Sequence, residues 1–232
     1  MGCTLITELR YSRNIRALSA AESESLRRKK VCLVGLGGLG GYVVEILARI
    51  GVLNITAVDY DVFEESNLNR QLFSTEALLG RPKTDGALER ITQVNSGVRL
   101  NLVKEKLCED NAVGIVRGHD CVVDALDNIP ARLILEDVCE TLNIPLVHGS
   151  IAGWFGQAAC IFPGDRLLRR VYKNARTEKG VEKALGNLPF TASVIASLQA
   201  AEAVKILCGR QVVRNALVQV DLLNSEFNVI DL

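Results

Sequence analysis

A chain of 232 residues, 48% apolar but only 5% aromatic, is long enough to bury a core without disulfide or metal staples, and that core must be built from Val, Leu, Ile and Ala. Its 27 Lys and Arg balance 27 Asp and Glu, so no overall field draws it to nucleic acid or a membrane surface, and an anionic ligand needs a local site. The seven cysteines (Cys3, Cys32, Cys108, Cys121, Cys139, Cys160, Cys208) are scattered, never spaced C-x-x-C and mostly set in apolar runs. That usage fits reduced thiols in a cytoplasmic protein rather than a disulfide framework.

In chain order, residues 8–28 read as one or two polar surface helices, and Val31–Val34 as a short buried strand. Gly35–Gly40 is a glycine-rich turn, and Tyr42–Ile50 has helical spacing ending at Gly51, a C-cap. Asn54–Val58 is a second strand, followed by irregular polar residues 60–82. Then come a helix over Lys83–Asn95, a strand over Val98–Val103, a short helix over Asn111–Arg117 and a buried strand over Asp120–Ala125. A helix over Ala131–Leu142 follows Pro130, and Pro145–His148 is a strand. Strand and helix thus alternate to residue 150, which predicts an α/β fold: a Rossmann-like, mostly parallel sheet with helices on both faces.

The pattern then changes. Gln157–Phe162 reads as a strand, and residues 163–189 as a loop-rich stretch with seven Lys or Arg against three acids. Thr191–Leu207 is a long Ala-rich helix closed by Gly209, and Ala216–Val220 and Glu226–Ile230 are antiparallel strands added to the sheet. With no repeat or linker, the expectation is one domain over 1–232: a helical arm 1–29, a nucleotide-binding core 30–150, and a crossover loop with the last helix and strands over 151–232. No apolar run approaches a membrane span. The start at Met1-Gly2-Cys3 lacks a signal-peptide stretch, and Ile6 stands where a myristoylation motif needs Ser or Thr.

The chemistry starts at Gly35-Leu36-Gly37-Gly38-Leu39-Gly40, a G-x-G-x-x-G between a strand and a helix. Gly35, Gly37, Gly38 and Gly40 permit a tight turn and close backbone approach to phosphate, where the helix N-terminus offers free N–H groups. Asp59, ending the second strand, could accept ribose hydroxyls. The turn alone does not separate NAD, FAD and ATP, and a packing role is its plain alternative. The following twenty or so polar residues, with Arg70 and then Lys83, suit a triphosphate better than a dinucleotide. Asp127, just past a buried strand, is placed to hold Mg²⁺ with phosphate oxygens; helix capping ahead of Pro130 is the alternative.

Arg10-Tyr11-Ser12-Arg13-Asn14, the glycine turn, Asp59-x-Asp61, Ser66-Asn67-Leu68-Asn69-Arg70-Gln71, Lys83 and Asp127-Asn128 occur in order. In this the chain resembles the ThiF/HesA/MoeB family, bacterial relatives of ubiquitin-activating enzymes, from about residue 8 to the end. The late Ser197-Leu198-Gln199-Ala200 and Glu202-Ala203 extend the likeness. The resemblance implies an ATP-dependent adenylyltransferase that activates the Gly-Gly C-terminus of a small ubiquitin-fold sulfur-carrier protein as its acyl-adenylate. It implies phosphate contacts from Arg70 and Lys83, Mg²⁺ on Asp127, ribose on Asp59 and backbone contact at Gly38. Asp61, Ser66, Asn67, Asn69, Gln71 and Asn128 would lie in or beside the ATP site. Arg13 would reach the ATP site of the other subunit of a homodimer, an exposed surface arginine being the alternative.

The chain departs from the family at the two C-x-x-C pairs that hold zinc in many members. They would fall near 166–172 and 184–189, which contain no Cys, so no zinc is expected. Residues 163–189 also lack the cysteine by which some relatives link covalently to the carrier, and Cys160 lies in an apolar strand that disfavours a reactive thiolate. Three other readings stay open: a dehydratase that adenylates a tRNA-borne carboxyl group, a non-catalytic partner subunit, and an NAD-dependent oxidoreductase. Neutral composition weighs against nucleic acid, and the intact Arg70, Lys83 and Asp127 against the second. His148 is expected to be a partly buried structural histidine at a strand end.

Overall fold

The computed structural model describes residues 8–173 and 185–232. A 3₁₀ turn over Leu9–Asn14 and helix α1 (Ala20–Arg28) precede strand β1 (Lys30–Val34). α2 (Gly40–Ile50), β2 (Asn54–Val58), α3 (Lys83–Val94), β3 (Arg99–Val103), α4 (Glu109–Val116), β4 (Cys121–Asp124), α5 (Ile129–Leu142) and β5 (Leu146–Ala152) follow. Then come β6 (Phe155–Ile161), α6 (Leu167–Val171), α7 (Pro189–Leu207), β7 (Ala216–Asp221) and β8 (Glu226–Asp231). Apart from α6, which lies in the stretch read as loop-rich, the helices and strands lie within a few residues of where the periodicity put them.

The described strands form one sheet in the order β3-β2-β1-β4-β5-β6-β7-β8. Pairings from β3 through β5 are parallel, and those of β5–β6, β6–β7 and β7–β8 antiparallel. β1 shows why both faces are covered. Val31 and Leu33 join α2, α3 and α7 in one apolar cluster, whereas Cys32 and Val34 join α4, α5 and α6 in the other. Such a doubly buried strand reads as a continuous apolar run rather than an alternating one.

Two further details differ from the sequence expectation. β5 runs past His148 to Ala152, because it pairs antiparallel with β6 beyond the end of β4; His148 is therefore fully buried in mid-strand, not at a strand end. And one apolar helix does have the length of a membrane span: α7, 19 residues with mean hydropathy 1.3. Its apolarity is met within the fold, since Thr191, Ala192, Ile195, Ala196, Gln199, Ala200 and Ala203 are fully buried against the sheet. Close approach is possible because Gly149 in β5 faces Gln199, where a Cβ would stand 2.3 Å from the side chain.

The topological switch point lies between β1 and β4: the chain runs outward from β1 through β2 to β3 on one side, then crosses back to β4 and continues on the other. Val34 is in register with Val58 and Asp124, so the carboxyl ends of β2, β1 and β4 are level. Open α/β sheets bind ligands in the crevice at such a point.

Candidate functional site

The glycine turn is held on three sides. Gly35 donates its N–H to the Val58 carbonyl (2.8 Å) and Ala125 donates to the Val34 carbonyl (2.9 Å). Gly35 sits at φ +98°, where a Cβ would stand 2.5 Å from the Ala125 oxygen, and a Cβ on Gly40 would stand 1.8 Å from the Gly35 oxygen. These contacts with backbone leave glycine as the residue the turn accepts. Asp59, nearly buried, accepts from Leu36 N–H (2.6 Å) and Asp61 N–H (2.8 Å), tying the turn to the loop after β2. Burial pushes the Asp59 carboxyl up, and the Lys83 charge and the two N–H donors oppose that.

Across the turn lies Arg70. Its side-chain stem passes about 3.6 Å from where a Gly38 Cβ would be, and Nη1 donates to the Ser66 carbonyl (3.0 Å) and the Asn69 amide oxygen (2.9 Å). Burial draws the Arg70 pKa down, and the charge of Asp127 acts against it. Arg70, Gly38 and Asp127 line one cavity together with Leu39, Ala125, Leu126, Arg132, Ser150, Ile151 and Asn187. Three of the expected residues, far apart in sequence, thus meet over the glycine turn.

The others take different places. Lys83 is buried beside the turn and donates to Asp61 (2.9 Å), next to Asp59 rather than in the cavity lining. Asn67 caps the 3₁₀ turn Glu65–Asn67 by accepting from Glu64 N–H (3.1 Å), and Ser66 Oγ reaches Glu64 at 3.5 Å. Asn69 donates to the Asn187 carbonyl (3.0 Å), joining this loop to the start of α7. Gln71 Nε2 lies 3.8 Å from a Gly37 Cβ position, and its Oε1 is buried without a hydrogen-bond partner. Asn128 is the side chain that caps α5, accepting from Ala131 N–H (2.9 Å). Arg13 is exposed on the first 3₁₀ turn and does not line the cavity of its own chain.

Sequence reasoning missed Arg132, Ser150, Ile151 and Asn187. For Arg132 a signal existed: it lies three residues before Leu135 and seven before Cys139, on the buried stripe of α5, where a cation needs a reason. Ser150, Ile151 and Asn187 arrive only through the β5–β6 hairpin and the chain entering α7.

Cys160 is buried, donates to Glu202 (3.3 Å), and has its thiol pKa pushed up by burial, as an unreactive cysteine should. Of the crossover, residues 174–184 lie outside the described residues, and with them Arg176, Lys179 and Lys183, three of the seven cations of the basic stretch.

A match to the ThiF family runs over residues 11–232. The chain belongs to the ThiF family. Relatives with this domain include the SAMP-activating enzyme E1 of Haloferax volcanii, 37% identical over 85% of this chain and 75% of that protein. The molybdopterin-synthase adenylyltransferase of Escherichia coli is 36% identical over 87% and 82%. The fold matches that of E. coli MccB with ATP at TM-score 0.83, 20% identity, 97% of this chain and 72% of that one. It also matches E. coli tRNA N6-threonylcarbamoyladenosine dehydratase, TcdA, with ATP, at TM-score 0.74, 24% identity, 86% and 94%.

The residues fit a nucleotide and a divalent cation. Gly38 brings backbone to the cavity wall, with the Arg70 guanidinium and the Asp127 carboxylate in the same lining. Among the described residues no three metal-ligating side chains cluster, but Mg²⁺ is commonly held by one or two carboxylates completed by substrate phosphates.

Proposed function

We propose that this ThiF-family chain is an adenylyltransferase that activates the C-terminal carboxylate of a small ubiquitin-fold carrier protein ending in Gly-Gly, with ATP as co-substrate. The observation that carries this reading is the meeting of Gly38, Arg70 and Asp127 in one cavity at the switch point of the sheet. The carrier carboxylate, ionised near neutral pH, attacks the α-phosphorus without a general base. The new bond joins its oxygen to that phosphorus, the bond to the bridging oxygen breaks, and pyrophosphate leaves. Catalysis rests on positioning and charge. The glycine-turn amides face the phosphates, Arg70 and Lys83 offset developing negative charge, and Asp59 stands by the ribose while bracing the turn. Lys83 is held ready by Asp61 and exchanges that partner for phosphate. Asp127 would hold Mg²⁺, which supplies further charge neutralisation when bound.

The reading includes a homodimer in which Arg13 completes the neighbouring ATP site, and a cytoplasmic location. Identities of 32–38% to named adenylyltransferases over most of the chain favour a protein substrate over tRNA. The test is ATP–pyrophosphate exchange with small Gly-Gly proteins. Exchange should require the carrier and vanish in Asp127→Ala with the fold intact by circular dichroism; full exchange in that variant would remove the metal assignment. A gel shift by tRNA without any carrier-dependent exchange would favour the other substrate class.

A further inference from the structure

The turn that delivers Asp127 has its peptide groups fixed by side chains. Leu126 donates its N–H to Asp124 Oδ1 (2.9 Å), and its carbonyl accepts from Arg132 Nη2 (2.6 Å). The Leu126–Asp127 peptide plane therefore depends on where Arg132 sits. Arg132 is 5% exposed, and its Nε lies 3.6 Å from Asp124 Oδ2 without a hydrogen bond. That carboxylate oxygen already accepts from His148 Nδ1 at 2.6 Å. The remaining anchor comes from the crossover: Nη1 donates to the Tyr172 hydroxyl (3.0 Å), and the guanidinium carbon stands 5.8 Å from the centre of the Tyr172 ring.

Tyr172 is itself placed by α5. Glu136 accepts from Leu168 N–H (2.7 Å) and Arg169 N–H (3.1 Å), and Glu140 accepts from Gly164 N–H (2.8 Å). Asp137 pairs with Arg166 and Arg169. Arg132, Glu136 and Glu140, four residues apart, form one stripe of α5 that grips the start of the crossover.

We propose that Arg132 and Tyr172 are positioning residues that lock the Leu126–Asp127 peptide, so that the start of the crossover sets the direction in which Asp127 meets a divalent cation. Arg132 is a strut rather than a ligand, because Nη1 and Nη2 both donate to protein oxygens. Removing the Tyr172 hydroxyl strands a donor of a buried cation, which then turns toward water and releases the Leu126 carbonyl. The inference rests on reading Asp127 as the cation-holding carboxylate.

The test uses the full chain saturated with a non-hydrolysable ATP analogue, with Mn²⁺ binding followed by electron paramagnetic resonance. It is run where circular dichroism shows every protein folded. Tyr172→Phe should raise the Mn²⁺ dissociation constant about tenfold, the scale of lost outer-shell support at metal sites. Arg132→Lys, which keeps charge but loses the fork, should do the same. Arg170→Ala, exposed on α6, should change nothing. Unchanged Mn²⁺ affinity in both Tyr172→Phe and Arg132→Lys overturns the positioning role. A wild-type protein that binds the analogue but no Mn²⁺ overturns the underlying reading of Asp127, and this inference with it.

Discussion

At the scale of single residues, the site depends on where a side chain is forbidden as much as on where one acts. Gly40 has no room for a Cβ, since the nearest atom is the Gly35 carbonyl oxygen at 1.8 Å, and backbone cannot swing aside as a flexible side chain can. Gly40→Ala should therefore cost about 3 kcal/mol or more in a denaturant titration, the upper end of overpacking penalties. A loss below about 1 kcal/mol would mean that the turn relaxes freely. His148 makes a second case. It is fully buried against Asp124, Arg132 and Tyr172, and burial draws its pKa below the ordinary 6.5 despite the Asp124 hydrogen bond. A histidine held neutral in the fold supports stability above its unfolded value, and that support is lost as pH falls below about 6.5. The urea midpoint of the wild type should therefore drop more between pH 7.5 and pH 5.5 than that of His148→Asn, which keeps a donor toward Asp124 but does not titrate. Equal drops would assign the pH response to other groups.

At the scale of elements, β1 and α5 divide the work. β1 ends level with β2 and β4, and this brings the glycine turn, Asp59 and the Asp127 turn to one edge. α5 carries the other half: Asn128 caps its start, Arg132 braces the turn before it, and Glu136 and Glu140 hold the crossover. Residues 166–172, where the first C-x-x-C pair of many family members would fall, form α6 and Tyr172 on this surface. Strand and helix positions were legible because apolar periodicity and the Gly and Pro punctuation report local burial. Pairing of β5 with β6 past His148 was not legible, since it is decided by a partner strand rather than by local pattern.

At the scale of the whole molecule, the reading that Arg13 acts in the neighbouring subunit makes a quantitative prediction. Arg13→Ala and Asp127→Ala homodimers should each be inactive in carrier-dependent exchange. Mixed in equal amounts and allowed to exchange subunits, they should recover about a quarter of wild-type activity, because half the dimers are mixed and each then holds one intact site of two. No recovery despite verified subunit exchange would place Arg13 outside the partner's site.

The sequence by itself determined the α/β class, the glycine turn and the run of motifs that marks the ThiF family, because each depends on residue types at short, fixed spacings. Only the tertiary structure decided which of those residues share a cavity. Arg70 and Asp127 meet over Gly38, Lys83 turns to Asp61, and Asn128 rather than Asp127 caps α5. It also brought in Arg132 and Tyr172, 40 positions apart in the chain. Their proximity follows from the crossover packing on α5, and contacts that close long loops leave no periodic trace in the order of residues.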